Sequence, residues 1–290
     1  MPKSVSLILS SGGSKGLAQI GAIKELERHG FKIQSISGSS IGSVIGGLYA
    51  MDKLPEFTEW VKTLDRKTVW GLMDFTISTN GLLKGVRVLE KMKTFIPDMK
   101  IEEMRIPFSV IATDLLNEKV EVFSSGSFYE AIRASVAIPT LMTPVISGDK
   151  ILVDGGVLSP IPIEYVTRQL DDILVVVNLY GEKKNDLSDS TSTDNTQRKV
   201  NPYNLLRNTT KILDSGDKRS VWYFSLLKAT TMSMIHKIAQ QTIETFKPDI
   251  LINIPYDAAE TLDFYKAEEL IKLGEVIADK AITGYLKEMQ

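Results

Sequence analysis

The sequence predicts an α/β protein whose sheet is covered by helices on both faces. Three observations carry that expectation. Short β-like apolar runs alternate with amphipathic stretches along the 290 residues. One run, Ile173 to Leu179, is apolar throughout, as expected of a strand with both faces buried. Two of the strand-to-helix junctions, Ser11 to Gly16 and Gly38 to Gly42, hold the glycines that a tight reversal at a sheet edge needs.

Taken in order, Val5 to Ser10 reads as a first central strand. A helix from Leu17 to His29 follows, with Ala18, Ile20, Ala22, Ile23 and Leu26 as its apolar face and Gly30 as C-cap. Ile33 to Ser37 is a second strand and Ile41 to Met51 a helix of small apolar residues. Leu54 to Leu64 and Val86 to Phe95 are helical. The stretch between them, with Trp70, Leu72, Met73, Phe75 and Ile77, is apolar for a connection and reads mainly as packing. Strands follow at Ile106 to Thr113, Val120 to Phe123 and Ile151 to Val153, with a helix at Tyr129 to Ser135. Ile163 to Leu170 is expected to be helical. Residues 181–199 turn polar and read as a surface insertion. Tyr203 to Leu213 and Val221 to Phe246 are helical, Asp249 to Ile254 is a strand, and a last helix spans Tyr265 to Met289. Its expected inward positions are Leu270, Leu273, Ile277, Ala281 and Leu286. One domain over 1–290 is expected.

Bulk composition narrows the function classes. A net charge of −2 implies no broad basic surface, which argues against nucleic acid as a partner. With no cysteine and two histidines, thiol chemistry and a histidine-rich metal site are excluded or improbable, and a reducing compartment fits. No stretch reaches the length of a transmembrane helix and Val5 to Leu9 is too short for a signal peptide, so cytoplasmic residence is the default.

The chemistry concentrates at Gly38-Ser39-Ser40-Ile41-Gly42. This Gly-x-Ser-x-Gly pattern suits a nucleophile elbow, in which Ser40 sits at the N-terminus of the next helix. A plain glycine-bounded turn reads equally well from the pattern alone. Ser11-Gly12-Gly13-Ser14-Lys15-Gly16 lacks the Walker ending, because Gly16 follows Lys15, and is one glycine short of a dinucleotide fingerprint. Its other use is as an oxyanion hole of converging N–H groups. A serine nucleophile needs a base. His236 lies mid-helix with no turn to present it, and His29 reads as a cation near a helix C-terminus. Ser225-x-x-Lys228 falls inside a helix without a supporting motif. Asp154 ends a strand before Gly155-Gly156. Burial would raise its pKa, although a loop-capping aspartate is the simpler reading of that residue alone.

Taken together these blocks resemble the patatin-like phospholipases over most of the chain. The family's Gly-Gly-Gly-x-Arg/Lys-Gly segment is similar to Ser11 to Gly16, its Gly-x-Ser-x-Gly elbow to Gly38 to Gly42, and its Asp-Gly-Gly/Ala motif to Asp154-Gly155-Gly156. Ala112 to Leu115, Arg133 to Pro139 and Leu262 to Phe264 also resemble family blocks. The resemblance implies a three-layer α/β/α sandwich with a mainly parallel sheet. It implies a Ser40–Asp154 dyad without histidine, an oxyanion hole around Gly12, Gly13 and Ser14, no metal or organic cofactor, and a lipid acyl ester as substrate. Peripheral membrane contact is compatible with the apolar stretches near Trp70 and Trp222. Ser11 departs from the family's first glycine and would be strained if that position requires positive φ. Two alternatives stay open, a soluble esterase or thioesterase on short acyl groups and a non-catalytic lipid-binding protein.

Overall fold

The computed structural model describes residues 3–78, 81–183 and 218–289. Its strands are β1 (Lys3–Leu9), β2 (Phe31–Ser39), β3 (Phe75–Ser78), β4 (Gly81–Leu83), β5 (Phe108–Asp114), β6 (Lys119–Phe123), β7 (Val145–Ser147), β8 (Lys150–Asp154), β9 (Ile173–Gly181) and β10 (Ile250–Pro255). Its helices are α1 (Leu17–Arg28), α2 (Ile41–Ala50), α3 (Leu54–Lys62), α4 (Arg66–Leu72), α5 (Val86–Lys93), α6 (Phe128–Ser135), α7 (Lys218–Phe246) and α8 (Ala267–Glu288).

The strands from β10 through β9, β1 and β2 to β5 are all parallel to their neighbours. Side-chain alternation sorts their two faces. Val5, Leu7 and Leu9 of β1 join Val175, Val177 and Leu179 of β9 in the larger core, with residues of α1, α2, α6 and α8. Ile8, Leu174 and Val176 face the other way, onto Ile161, Ile163, Val166 and Ala239 of α7. The mixed α/β sandwich with a mostly parallel sheet is therefore as expected, and β9 is buried on both faces as its composition demands.

Beyond β5 the sheet becomes antiparallel, and the register there assembles the site. Ala112 pairs with both Glu121 of β6 and Asp154 of β8, so β6 and β8 flank β5 on opposite sides. Ile111 pairs with both Val122 of β6 and Ser39 of β2, so β2 and β6 are also on opposite sides. Hence β2 and β8 share one edge of β5 and run toward each other. The first ends opposite Ile111 and the second opposite Ala112, so their C-terminal residues meet head-on.

Three expectations need correction. Residues 163–170 are not a helix. A single 3-10 turn, Ile163–Tyr165, is present, and the Gln169 N–H goes to the Asp172 carboxylate (2.8 Å) instead of a carbonyl one turn back. Pro160 and Pro162 and the β-branched Val166 and Thr167 weaken helix there, and Ile161, Ile163 and Val166 bury themselves from an irregular chain. The inward face of α8 is centred on Ala267, Leu270, Ile271, Gly274, Ala278 and Ile282, while Leu273, Ile277, Ala281 and Leu286 lie at its margins. Small residues hold the centre because α1 comes very close: a Cβ on Gly274 would lie 1.9 Å from the Ala18 carbonyl oxygen. The connection between α3 and α5 is also more ordered than its composition suggests, containing α4 and the β3–β4 hairpin. Trp60, Leu72 and Met73 pack on the core, whereas Trp70 is 58% exposed. The expected insertion from residue 184 onward, and the helix expected at Tyr203 to Leu213, lie outside the described residues.

Candidate active site

Ser40 stands at the junction of β2 and α2 with φ 55° and ψ −124°. A non-glycine residue in that region is strained and persists only where its surroundings hold it. The glycines on either side permit the turn. A Cβ on Gly42 would sit 2.1 Å from the Leu9 carbonyl oxygen, and one on Gly38 would sit 2.4 Å from that of Gly42. The Ser40 N–H donates to Ser135 Oγ (2.9 Å), and Ser135 Oγ donates to the Ile111 carbonyl (2.5 Å). The Ser43 hydroxyl donates to the Ser40 carbonyl (2.6 Å). The strained residue is thus tied at both its backbone groups.

Ser40 Oγ donates to Asp154 Oδ2 at 2.5 Å. The second oxygen, Oδ1, accepts the Gly156 N–H at 2.7 Å, which fixes the carboxylate's rotation. Both residues are buried, at 3% and 6% exposure. Burial pushes the Asp154 carboxyl up to about 6, and the hydrogen bonds from Ser40 and Gly156 offset part of that rise. Gly155 carries the chain beneath the elbow, where a Cβ would lie 2.2 Å from the Ile111 carbonyl oxygen.

The loop Ser11 to Gly16 runs alongside. The N–H groups of Gly12, Gly13 and Ile41 donate to no acceptor among the described residues. Ser14 differs: its N–H donates to the Thr261 carbonyl (3.0 Å) and its hydroxyl to that of Glu260 (2.7 Å). Ser14 therefore anchors the loop to the chain just after β10. Lys15 anchors it too, with Nζ donating to the carbonyls of Leu179 (2.9 Å) and Tyr256 (3.0 Å). Burial lowers the Lys15 pKa to about 8 against the opposing charges of Glu260 and Asp257. A Cβ on Gly16 would strike Ile41 at 2.3 Å, so the loop lies directly on the elbow. The residue with positive φ in this loop is Gly13 (φ 62°), and Ser11 is not among the positive-φ residues. The feared strain at Ser11 is absent. Its N–H donates to the Pro160 carbonyl, its Oγ shares a 2.5 Å hydrogen bond with Tyr180 OH, and it packs on Gly156.

His236 does not join Ser40. Its ring is held edge-on between Tyr180 (5.3 Å) and Tyr256 (5.1 Å), and burial followed by the Lys15 charge lowers its pKa. His29 Nε2–H donates to Asp279 Oδ1 (2.8 Å), pinning the end of α1 to α8. Ser135, Ser43 and Tyr180 are the site residues that pattern reading passed over. Ser135 lies in the Arg133 to Pro139 block, where a buried serine closing a short amphipathic helix was the available signal.

Residues 7–167 match the family model described as patatin-like phospholipase, more than half of the chain. The chain belongs to the patatin-like phospholipase family. It is 28% identical to an uncharacterized NTE family protein of Mycobacterium tuberculosis, over 97% of this chain and 92% of that one. It is 26% identical to Lysophospholipase NTE1 of Debaryomyces hansenii, over 98% of this chain but only 18% of the yeast protein. Among solved structures, VipD of Legionella pneumophila aligns with a TM-score of 0.46 and 12% identity, covering 98% of this chain and 67% of VipD. Within this patatin-like chain no helix of the described residues is long and apolar enough to cross a membrane.

Proposed function

We propose that this patatin-like protein is a serine acyl hydrolase that cleaves carboxylic esters of lipids, in the phospholipase A or lysophospholipase class, with 1–290 as one catalytic domain acting from the cytoplasm. The observation that carries the reading is the buried Ser40–Asp154 hydrogen bond at a strained elbow. The names of the family and of the fungal relatives support lipid as the substrate class.

In this reading Ser40 Oγ attacks the ester carbonyl carbon while its proton passes to Asp154 Oδ2. The carbonyl oxygen becomes an oxyanion and is met by the uncommitted N–H groups of Gly12 and Gly13, with that of Ile41 at the start of α2. The Ser14 N–H, already donated to Thr261, acts on the loop rather than on the oxyanion. As the tetrahedral intermediate collapses, the C–O bond to the alcohol breaks and Asp154 returns the proton to that oxygen. Water then attacks the acyl-enzyme. Asp154 takes its proton and delivers it to Ser40 Oγ as the carboxylic acid leaves. A carboxylate with a pKa near 6 suits both halves: it is mostly ionised at neutral pH, yet basic enough to accept a proton in the transition state.

Labelling with a fluorophosphonate tests the nucleophile. The folded protein is expected to label at Ser40, and the Ser40→Ala variant is not. A lipid hydrolysis screen against short nitrophenyl esters then separates a lipid hydrolase from a soluble esterase. Absence of labelling in folded protein would overturn the enzymatic reading in favour of lipid binding without turnover.

A further inference from the structure

Strand β5 does not stop at the level of the nucleophile. Its pairing with β2 ends at Ile111, and its pairing with β8 continues from Ala112 to Asp114. The Leu115 N–H extends the ladder by donating to the Ile151 carbonyl at 2.9 Å. At about 3.3 Å per residue, this carries Leu115 on the order of 13 Å beyond the elbow. The β7–β8 hairpin rises to the same height, with Ile146 opposite Ile151 and Ser147 opposite Lys150. Two hairpin tips therefore overhang the end of the sheet at which Ser40 opens.

Large aliphatic side chains crown these tips. Leu115 is 48% exposed, Leu116 60% and Ile146 74%. Among the polar groups beside them Asp114 is turned inward and Lys150 is paired, whereas Glu118, Lys119, Ser147 and Asp149 are exposed. The Asp114 carboxylate is buried and accepts the Leu116 N–H (3.1 Å) and the Asn117 amide (2.6 Å). Lys150 pairs with Glu121 at 2.7 Å. Lys119 and Lys150 are outnumbered by Asp114, Glu118, Glu121 and Asp149, so the projection carries no excess of positive charge.

We infer that the paired tips of the β5–β6 and β7–β8 hairpins form a membrane-docking wedge for a zwitterionic phospholipid surface. The wedge inserts Leu115, Leu116 and Ile146 and sets the lipid surface above Ser40. The inference rests on the lipid-hydrolase reading for its choice of occupant. An aliphatic crown at the end of the sheet where Ser40 stands fits an apolar interface. With carboxylates outnumbering cations, an attachment here is driven by apolar burial, not by attraction to anionic headgroups.

The test uses the full chain with Ser40→Ala, so that vesicles are not consumed and binding is read independently of hydrolysis. Sedimentation with phosphatidylcholine vesicles is expected to show binding that changes little between roughly 50 and 500 mM salt. Leu115→Ser/Leu116→Ser/Ile146→Ser in the same background is expected to weaken binding on the order of 10²-fold or more. With Ser40 restored, the triple variant should keep fluorophosphonate labelling and short-ester turnover, which reports an intact fold. A Leu116→Trp variant guards against misfolding of the triple variant, and brominated phosphatidylcholine is expected to quench it beyond the parent. Undiminished vesicle binding by a folded triple variant would overturn the wedge. So would no added quenching at position 116, loss of binding in high salt, or a dimer that the triple variant dissociates. Failure of labelling with intact vesicle binding would instead overturn the hydrolase reading alone.

Discussion

Replacing Asp154 by asparagine separates the demands of catalysis from those of folding. The Asp154 carboxyl has its pKa raised from 3.8 to about 6 by burial. At about 1.36 kcal/mol per pH unit, the ionised group opposes folding by about 3 kcal/mol. Because the folded value is the higher one, the group favours folding fully below pH 3.8, and that contribution is lost as the pH rises through about 6. Asparagine keeps the geometry: its Oδ1 accepts the Gly156 N–H as before, and its amide nitrogen donates to Ser40 Oγ where the carboxylate accepted. The variant should therefore match the parent near pH 4 and exceed it by up to about 3 kcal/mol above about pH 7. For 290 residues this amounts to a rise in melting temperature of about 5 °C. Turnover should fall by about 10²–10⁴, since the amide cannot take the serine proton. Thermal and urea unfolding across pH, with ester hydrolysis on the same samples, measure both. A variant no more stable than the parent at neutral pH, or a stability gap that does not change with pH, would refute burial as the source of the raised pKa. Retained turnover would refute Asp154 as the base.

Three further outcomes follow from the same geometry. Ser135→Ala strands the buried Ser40 N–H, so a loss of about 1–3 kcal/mol in urea unfolding is expected, with reduced turnover from a loosened elbow. Ser11→Gly should cost only about 1 kcal/mol, from the hydrogen bond to Tyr180, and should keep turnover within a few-fold of the parent; a large loss would give the Ser11 hydroxyl a catalytic part. His236→Ala should leave the pH–rate profile unchanged, falling on the acid side near pH 6 as Asp154 gains its proton, whereas loss of that limb would transfer the base role to His236.

Much of this molecule was legible along the chain because its signals are local. A parallel strand buried on both faces must be apolar throughout, and Ile173 to Leu179 is. A sharp turn packed against backbone excludes Cβ atoms, and glycines therefore bracket Ser40. The head-on meeting of β2 and β8 is another matter. It depends on which residues of β5 each strand pairs with, and nothing in Asp154-Gly155-Gly156 alone distinguishes a base from a turn aspartate. Family likeness suggested that meeting, and the register of β5 supplies its physical cause. The helix expected at residues 163–170 failed because an i, i+3 apolar spacing can be buried equally by an irregular chain.

The sequence by itself determined the α/β layering, the turn at Gly38 to Gly42 and the glycine-rich loop before α1, because each follows from side-chain size and periodicity over a few residues. Only the tertiary structure decided that Ser40 and Asp154 share one hydrogen bond, that Ser135 braces the nucleophile, and that Ser11 is unstrained beside Tyr180. These relations join residues up to 169 positions apart, and strand register fixes such distances where composition cannot.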